Sequence, residues 1–176
     1  MRETGYGRED EISPVFCLLY SVCTCRHLTI LVSFVIPIMW AVIDTNVWVA
    51  ALRSRRGAAF ELLKRVRVGA VVPVVTVALF LEYEEVLKRP AMVPLDAELV
   101  DRFLDLLLSR SATQKIFYTW RPVLGDADDD MLLEAAVAAG NCVICTFNTR
   151  HFRGSEKFGV TVLTPHELLE RPNPSR

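Results

Sequence analysis

One pattern recurs along residues 41 to 169 and constrains the fold more than any other: short charge-free runs, each handed on to a segment with helical periodicity. Ala41 to Ile43, Ala70 to Val75, Cys142 to Cys145 and Val160 to Leu163 are bounded by turn-forming residues and are too short for buried helices. They read as strands, and Ile116 to Trp120 reads as another, third in chain order. Strands that are apolar on both faces must be covered on both faces. The intervening helices supply that cover, so the chain is expected to be an α/β protein with a mainly parallel sheet of about five strands and helices on its faces.

The helical segments carry their own punctuation. Val47 to Leu52 follows Asp44-Thr45-Asn46, residue types that open helices well. Ala58 to Val68 sets Phe60, Leu63 and Val66 among Glu61, Lys64 and Arg65, with Gly69 at its C-terminal stop. A helix begins near Thr76, carries Leu79, Glu82 and Val86, and ends at Arg89-Pro90. Asp96 caps the next, whose apolar face is Leu99, Phe103, Leu106 and Leu107. Asp126-Ala127-Asp128-Asp129-Asp130 opens a helix with body Met131 to Ala139, stopped at Gly140, and Pro165 to Leu169 forms a last helical turn. Trp40 and Trp48 are expected in the core, as are the thiols of Cys142 and Cys145.

A chain of 176 residues fits one domain, and 52% apolar with 23% charged residues describes a globular protein. Net charge is −1, which excludes an overall basic field; any nucleic-acid contact has to be a local patch. Five cysteines, three of them at positions 17, 23 and 25, make no disulfide framework. Residues 1 to 38 differ from the rest. Their opening is acidic, and Arg26-His27 and Pro37 interrupt charge-free runs that fall short of the ~20 residues a membrane helix needs. Met39 immediately precedes the first strand. Residues 39 to 176 are therefore expected to form the domain, with 1 to 38 arising from a misplaced start codon; a membrane-associating segment is the other reading. The protein is expected in the cytoplasm.

Asp44 ends the first strand, at the carboxyl edge where open α/β sheets gather ligands. Helix capping is its plain alternative, and the two roles are compatible if Thr45 or Asn46 caps. The Asp128 to Asp130 cluster and Asn148 are expected at the same edge, and Glu82 one to two turns into a helix that begins there. Converging carboxylates repel one another unless a cation sits among them, and hard oxygen donors without His or Cys select Mg²⁺ or Mn²⁺.

In chain order, Val42-Ile43-Asp44-Thr45-Asn46-Val47, Leu81 to Leu87 with Arg89-Pro90, Asp128 to Ala136, and Cys145-Thr146-Phe147-Asn148 resemble the successive motifs of PIN-domain nucleases. The likeness covers residues 40 to about 169 and is closest to the branch described as toxins of toxin–antitoxin pairs. It implies a PIN-like three-layer α/β/α fold and a metal-dependent endoribonuclease that cleaves RNA with Mg²⁺ or Mn²⁺. Asp44, Glu82 and Asp129 would be the catalytic, metal-binding acids. The fourth family position, often Asp, is Asn148, an oxygen donor without charge. Thr45, Asn46, Asp126, Asp130 and Thr146 are auxiliary candidates. The threonines orient carboxylates or water, or merely cap. Asp126 or Asp130 takes the place of Asp129 if the helix boundary shifts, and otherwise Asp128 and Asp130 complement the helix dipole. The resemblance further implies an antitoxin partner and a homodimer. Arg150 and His151 lie within reach of a phosphate, though a lone loop histidine is ordinarily a packing or surface residue. Arg53, Arg55 and Arg56 either steer RNA or form a solvated turn. Two other readings stay open: a binding module without turnover, favoured by Asn148, and a phosphatase or phosphoacceptor using Asp44, disfavoured because Asn46 stands where one such family has a second Asp.

Overall fold

The computed structural model describes residues 39–117, 119, 123–140 and 142–171, so the expectations about residues 1 to 38 lie outside it. Within the described residues the elements alternate as the sequence pattern requires. They are β1 (Met39–Ile43), α1 (Thr45–Arg53), α2 (Ala58–Arg67), β2 (Val71–Val75), α3 (Val77–Leu87), α4 (Ala97–Arg110), β3 (Ala112–Thr113), α5 (Ala127–Ala138), β4 (Val143–Cys145), two 3₁₀ turns (Thr149–Phe152 and Ser155–Phe158), β5 (Val162–Leu163) and α6 (Pro165–Glu170).

The strands form one five-stranded sheet in the order β3-β2-β1-β4-β5, every neighbouring pair parallel. β1 lies in the middle, and its Ala41, Val42 and Ile43 are completely buried. The chain steps outward from β1 to β3 and returns past β1 to β4, and the right-handed crossovers that parallel strands take then put α1 to α4 on one face and α5 on the other. The result is a three-layer α/β/α fold, as expected. Its register sets Ile43 beside Cys145, so β1 and β4 finish level with each other.

Packing on the α1 side centres on Trp48. Its ring meets Phe103 of α4 at 5.7 Å and Tyr83 of α3 at 6.4 Å, both edge-on. This is a geometry that the quadrupoles of aromatic rings favour. The Tyr83 hydroxyl donates to the carbonyl of Ile43, the last residue of β1. Burial holds that phenol well above its ordinary pKa, so it remains a neutral donor.

Three expectations need correction. The third strand is Ala112–Thr113, and of the segment expected there Ile116, Phe117 and Thr119 are not in a strand, while Tyr118 and Trp120 lie outside the described residues. Its rungs oppose Val74 and Val75, and the last bond is from Gln114 N–H to the Val75 carbonyl at 2.9 Å. β2 then turns into α3, so the apolar residues that follow have no partner, and Phe117 is 79% exposed. Trp40 is half-exposed at the outer end of β1, whereas Trp48 is buried. On α4 the buried set is Val100, Phe103, Leu104 and Leu107, rotated from the expected face so that Leu99 and Leu106 sit at its margin.

Tyr83→Phe keeps the ring packing and leaves the Ile43 carbonyl without its phenolic donor. An unsatisfied buried acceptor costs about 1–3 kcal/mol, and urea denaturation should find the variant less stable by that amount.

Candidate active site at the carboxyl ends of the strands

In a parallel sheet every strand ends at one edge, and at this edge the chain places its short polar residues. Asp44 follows β1 directly and is itself the N-cap of α1: Oδ1 accepts from the Asn46 backbone N–H at 3.1 Å. The cap is thus Asp44 rather than Thr45 or Asn46, and one carboxylate serves both purposes. Its other oxygen, Oδ2, accepts from the Asn46 amide Nδ2 at 2.7 Å and from Thr146 Oγ1 at 2.5 Å. Thr146 is fully buried just beyond β4, where the level strand ends put it beside Asp44. Its Oγ1 also accepts from the Asn148 backbone N–H at 2.9 Å.

Thr76 caps α3 by accepting from Leu79 N–H, which fixes the start of that helix and presents Glu82 to the same edge. Thr45 Oγ1 donates to Glu82 Oε1 at 2.5 Å, while Glu82 Oε2 is buried without a hydrogen-bond partner. Thr45 and Thr146 therefore each hold one acidic oxygen. Asp129, in the first turn of α5, has a side chain only 13% exposed, and its Oδ2 lies 3.1 Å from His151 Nδ1.

Burial raises the pKa of Asp44, Glu82 and Asp129, because desolvation penalises the charged form. Hydrogen bonds from Thr146 and Asn46 oppose the shift at Asp44, and the bond from Thr45 opposes it at Glu82. The negative charge of Asp44 pushes up both Glu82 and Asp129, so the three acids share one electrostatic environment. They are not drawn into a cage: among the described residues, no three acidic, histidine or cysteine side chains are gathered closely enough to hold a metal ion as they stand.

The other candidates separate. Asp126 is the N-cap of α5, accepting from Asp128 N–H at 3.1 Å. Asp130 is turned away into the protein, where its carboxylate accepts from the N–H groups of Val123 and Leu124 and ties down the loop before α5. Asp128 is exposed, yet its charge still raises Glu82. Asn148 is exposed at the start of the 3₁₀ turn, and its backbone carbonyl accepts from His151 N–H at 3.0 Å. Arg53, Arg55 and Arg56 are exposed at the far end of α1 from Asp44, away from this edge. Cys142 and Cys145 are buried thiols; burial pushes Cys142 up to about 11 and raises Cys145 further, which keeps both protonated and inert.

Sequence reasoning undervalued two residues. His151 is the partner of Asp129, and Tyr83 anchors the strand end that presents Asp44. The only signal for His151 was its position three residues after Asn148, and for Tyr83 its place beside Glu82.

The sequence model of the PIN domain matches residues 41–150. No curated protein matches significantly. Among solved structures, a chain in the crystal structure of VapBC2 from Rickettsia felis, bound to a DNA fragment from their promoter, superposes with a TM-score of 0.51 at 15% identity. The match covers 72% of this chain and 98% of that one, and at such identity it speaks for the fold alone. No helix among the described residues is long and apolar enough to cross a membrane.

Glu82 has a folded-state pKa above its ordinary 4.5, so the folded protein binds this proton more tightly than the unfolded chain. Its contribution to stability therefore falls as pH rises from about 4.5 through the raised value, and stays low above it. Glu82→Gln keeps an acceptor for Thr45 and removes the charge. In chelator its melting temperature should exceed that of the wild type at pH 7, with the gain vanishing towards pH 4; a variant that melts lower at pH 7 would refute a charge penalised by burial at this position.

Proposed function

The chain belongs to the PIN-domain family, and from that premise we propose that it is a Mg²⁺- or Mn²⁺-dependent endoribonuclease, a hydrolase of RNA phosphodiester bonds that acts as the toxin of a toxin–antitoxin pair. The observation that carries this reading is the presence of three carboxylates, Asp44 buried and Glu82 and Asp129 half-buried, at the carboxyl edge of the sheet, with the charge of Asp44 felt by the other two. Acids raised by burial and by a neighbouring carboxylate at a sheet edge favour a functional site over ordinary surface charges.

The donor set fits a small hard divalent cation. All three groups offer oxygen, and Glu82 Oε2 is buried with no partner of its own. The absence of a tight cage is compatible with Mg²⁺, which keeps several waters and takes few carboxylates directly. Asp44, Glu82 and Asp129 would hold the ion, and Asn148 would offer an uncharged oxygen. When bound, the ion would neutralise charge on the phosphate and make water a better nucleophile for in-line attack.

The chain's own residues prepare this chemistry. Thr146 and Asn46 hold Asp44 Oδ2 while its Oδ1 stays on the helix cap, so the carboxylate cannot rotate. Thr45 holds Glu82 by Oε1 and leaves Oε2 available. Water is the nucleophile, and no side chain carries a covalent intermediate. The toxin role, an antitoxin partner, a homodimer and cytoplasmic action are supported by the likeness of the motifs to the toxin branch. The fold shared with a chain crystallised as VapBC2 on promoter DNA is consistent with that assignment. A binding module without turnover is the competing reading, favoured by the amide at Asn148.

Cleavage of a labelled RNA by the full chain should require Mg²⁺ or Mn²⁺ and stop with chelator. Asp44→Asn preserves the cap but removes charge stabilisation worth several kcal/mol. That predicts at least a roughly 100-fold loss of rate. Full activity in the variant, or in chelator, would overturn the assignment, and wild-type inactivity with both metals would leave the binding module as the better reading.

A further inference from the structure

We infer that His151 is a positioning residue for Asp129, and that the loop from Thr146 to His151 locks the third acid to the first. This rests on the reading of Asp44, Glu82 and Asp129 as metal ligands. His151 lies on a 3₁₀ turn held at both ends. Phe152, the next residue, is buried in the core, and His151 N–H donates to the Asn148 carbonyl at 3.0 Å. The imidazole Nδ1 then stands 3.1 Å from Asp129 Oδ2, a carboxylate 22 residues away in sequence on α5. An ionised carboxylate only accepts, so the bond places a proton on Nδ1.

The connections run without a break from one acid to the other. Thr146 Oγ1 donates to Asp44 Oδ2 and accepts from Asn148 N–H; Asn148 accepts from His151 N–H; and His151 meets Asp129. Holding one oxygen of Asp129 leaves its other oxygen facing a fixed direction. The groups that orient metal ligands typically account for 10- to 100-fold in affinity or activity. Because the His151 side chain is 55% exposed, its removal leaves the core intact.

The test is isothermal titration of the full chain with Mn²⁺, without RNA. His151→Ala should weaken binding ~10- to 100-fold. His151→Asn, whose side-chain amide can place a donor where Nδ1 stands, should restore most of the affinity, whereas His151→Gln, with its amide one carbon further out, should not. Equal affinity in wild type and His151→Ala overturns the positioning role while leaving the metal reading intact. Absence of Mn²⁺ binding by the wild type overturns both. Equal loss in the Ala and Asn variants overturns it as well, because a merely structural contribution of the ring would produce that result.

Discussion

The structure turns on the burial of one carboxylate at the end of its central strand. Asp44 is nearly out of solvent, and every acceptor position that can be satisfied from the chain is: a backbone N–H on Oδ1, an amide and a hydroxyl on Oδ2. Those three bonds favour the charged form, and burial disfavours it by more, since the balance is a raised pKa. The donors come from α1 and from the residue after β4, so the carboxylate is placed only if β1 and β4 pair in the observed register. A slip of one residue would set Thr146 on the wrong face of the sheet. The register therefore fixes the site, and apolar packing fixes the register.

That dependence explains the architecture around it. β1 is the middle strand and wholly apolar, so it is clamped on both sides and its end has little freedom to move. Tyr83 adds a bond from α3 to the carbonyl one residue before Asp44, and the neighbouring residue in the same helix is Glu82. One helix thus anchors the strand end with one side chain and supplies an acid with the next. Trp48, packed between Tyr83 and Phe103, makes the positions of α1, α3 and α4 mutually dependent. The polar edge is consequently a property of the core, although none of its own residues is apolar.

Much of this was legible before any coordinates, for a physical reason. Strands that are apolar on both faces and helices that begin on Asp or Thr follow local rules, so Asp44, Glu82, the Asp128 to Asp130 cluster and Asn148 could be assigned to one edge from their places in that grammar, and the resemblance singled out Asp129 within the cluster. What escaped were features decided by tertiary partners. Ile116 and Phe117 have strand-like character, but β2 has already turned into α3 where they would pair, and nothing local reports that. Asp129 and Asp130 are adjacent acids in one helical turn, and only the position of the loop at Val123 and Leu124 makes the second a clamp. His151 belongs to no periodic pattern, since a loop side chain acquires its role from the element it meets.

Asn148 shows how a position can matter without its side chain. In the described geometry its N–H donates to Thr146 and its carbonyl accepts from His151, so the residue joins the two halves of the edge through its backbone. Any non-proline residue supplies both groups. An amide at this place removes one negative charge from an edge where burial raises Asp44, Glu82 and Asp129 and the charge of Asp44 raises the other two. A fourth carboxylate would have added repulsion to three groups that share only hydroxyl, amide and imidazole partners. With Asn148 the backbone link is kept and that added repulsion is avoided. The geometry of the edge and its charge are therefore set separately, the first by the backbone of the loop and the second by which side chains project from it.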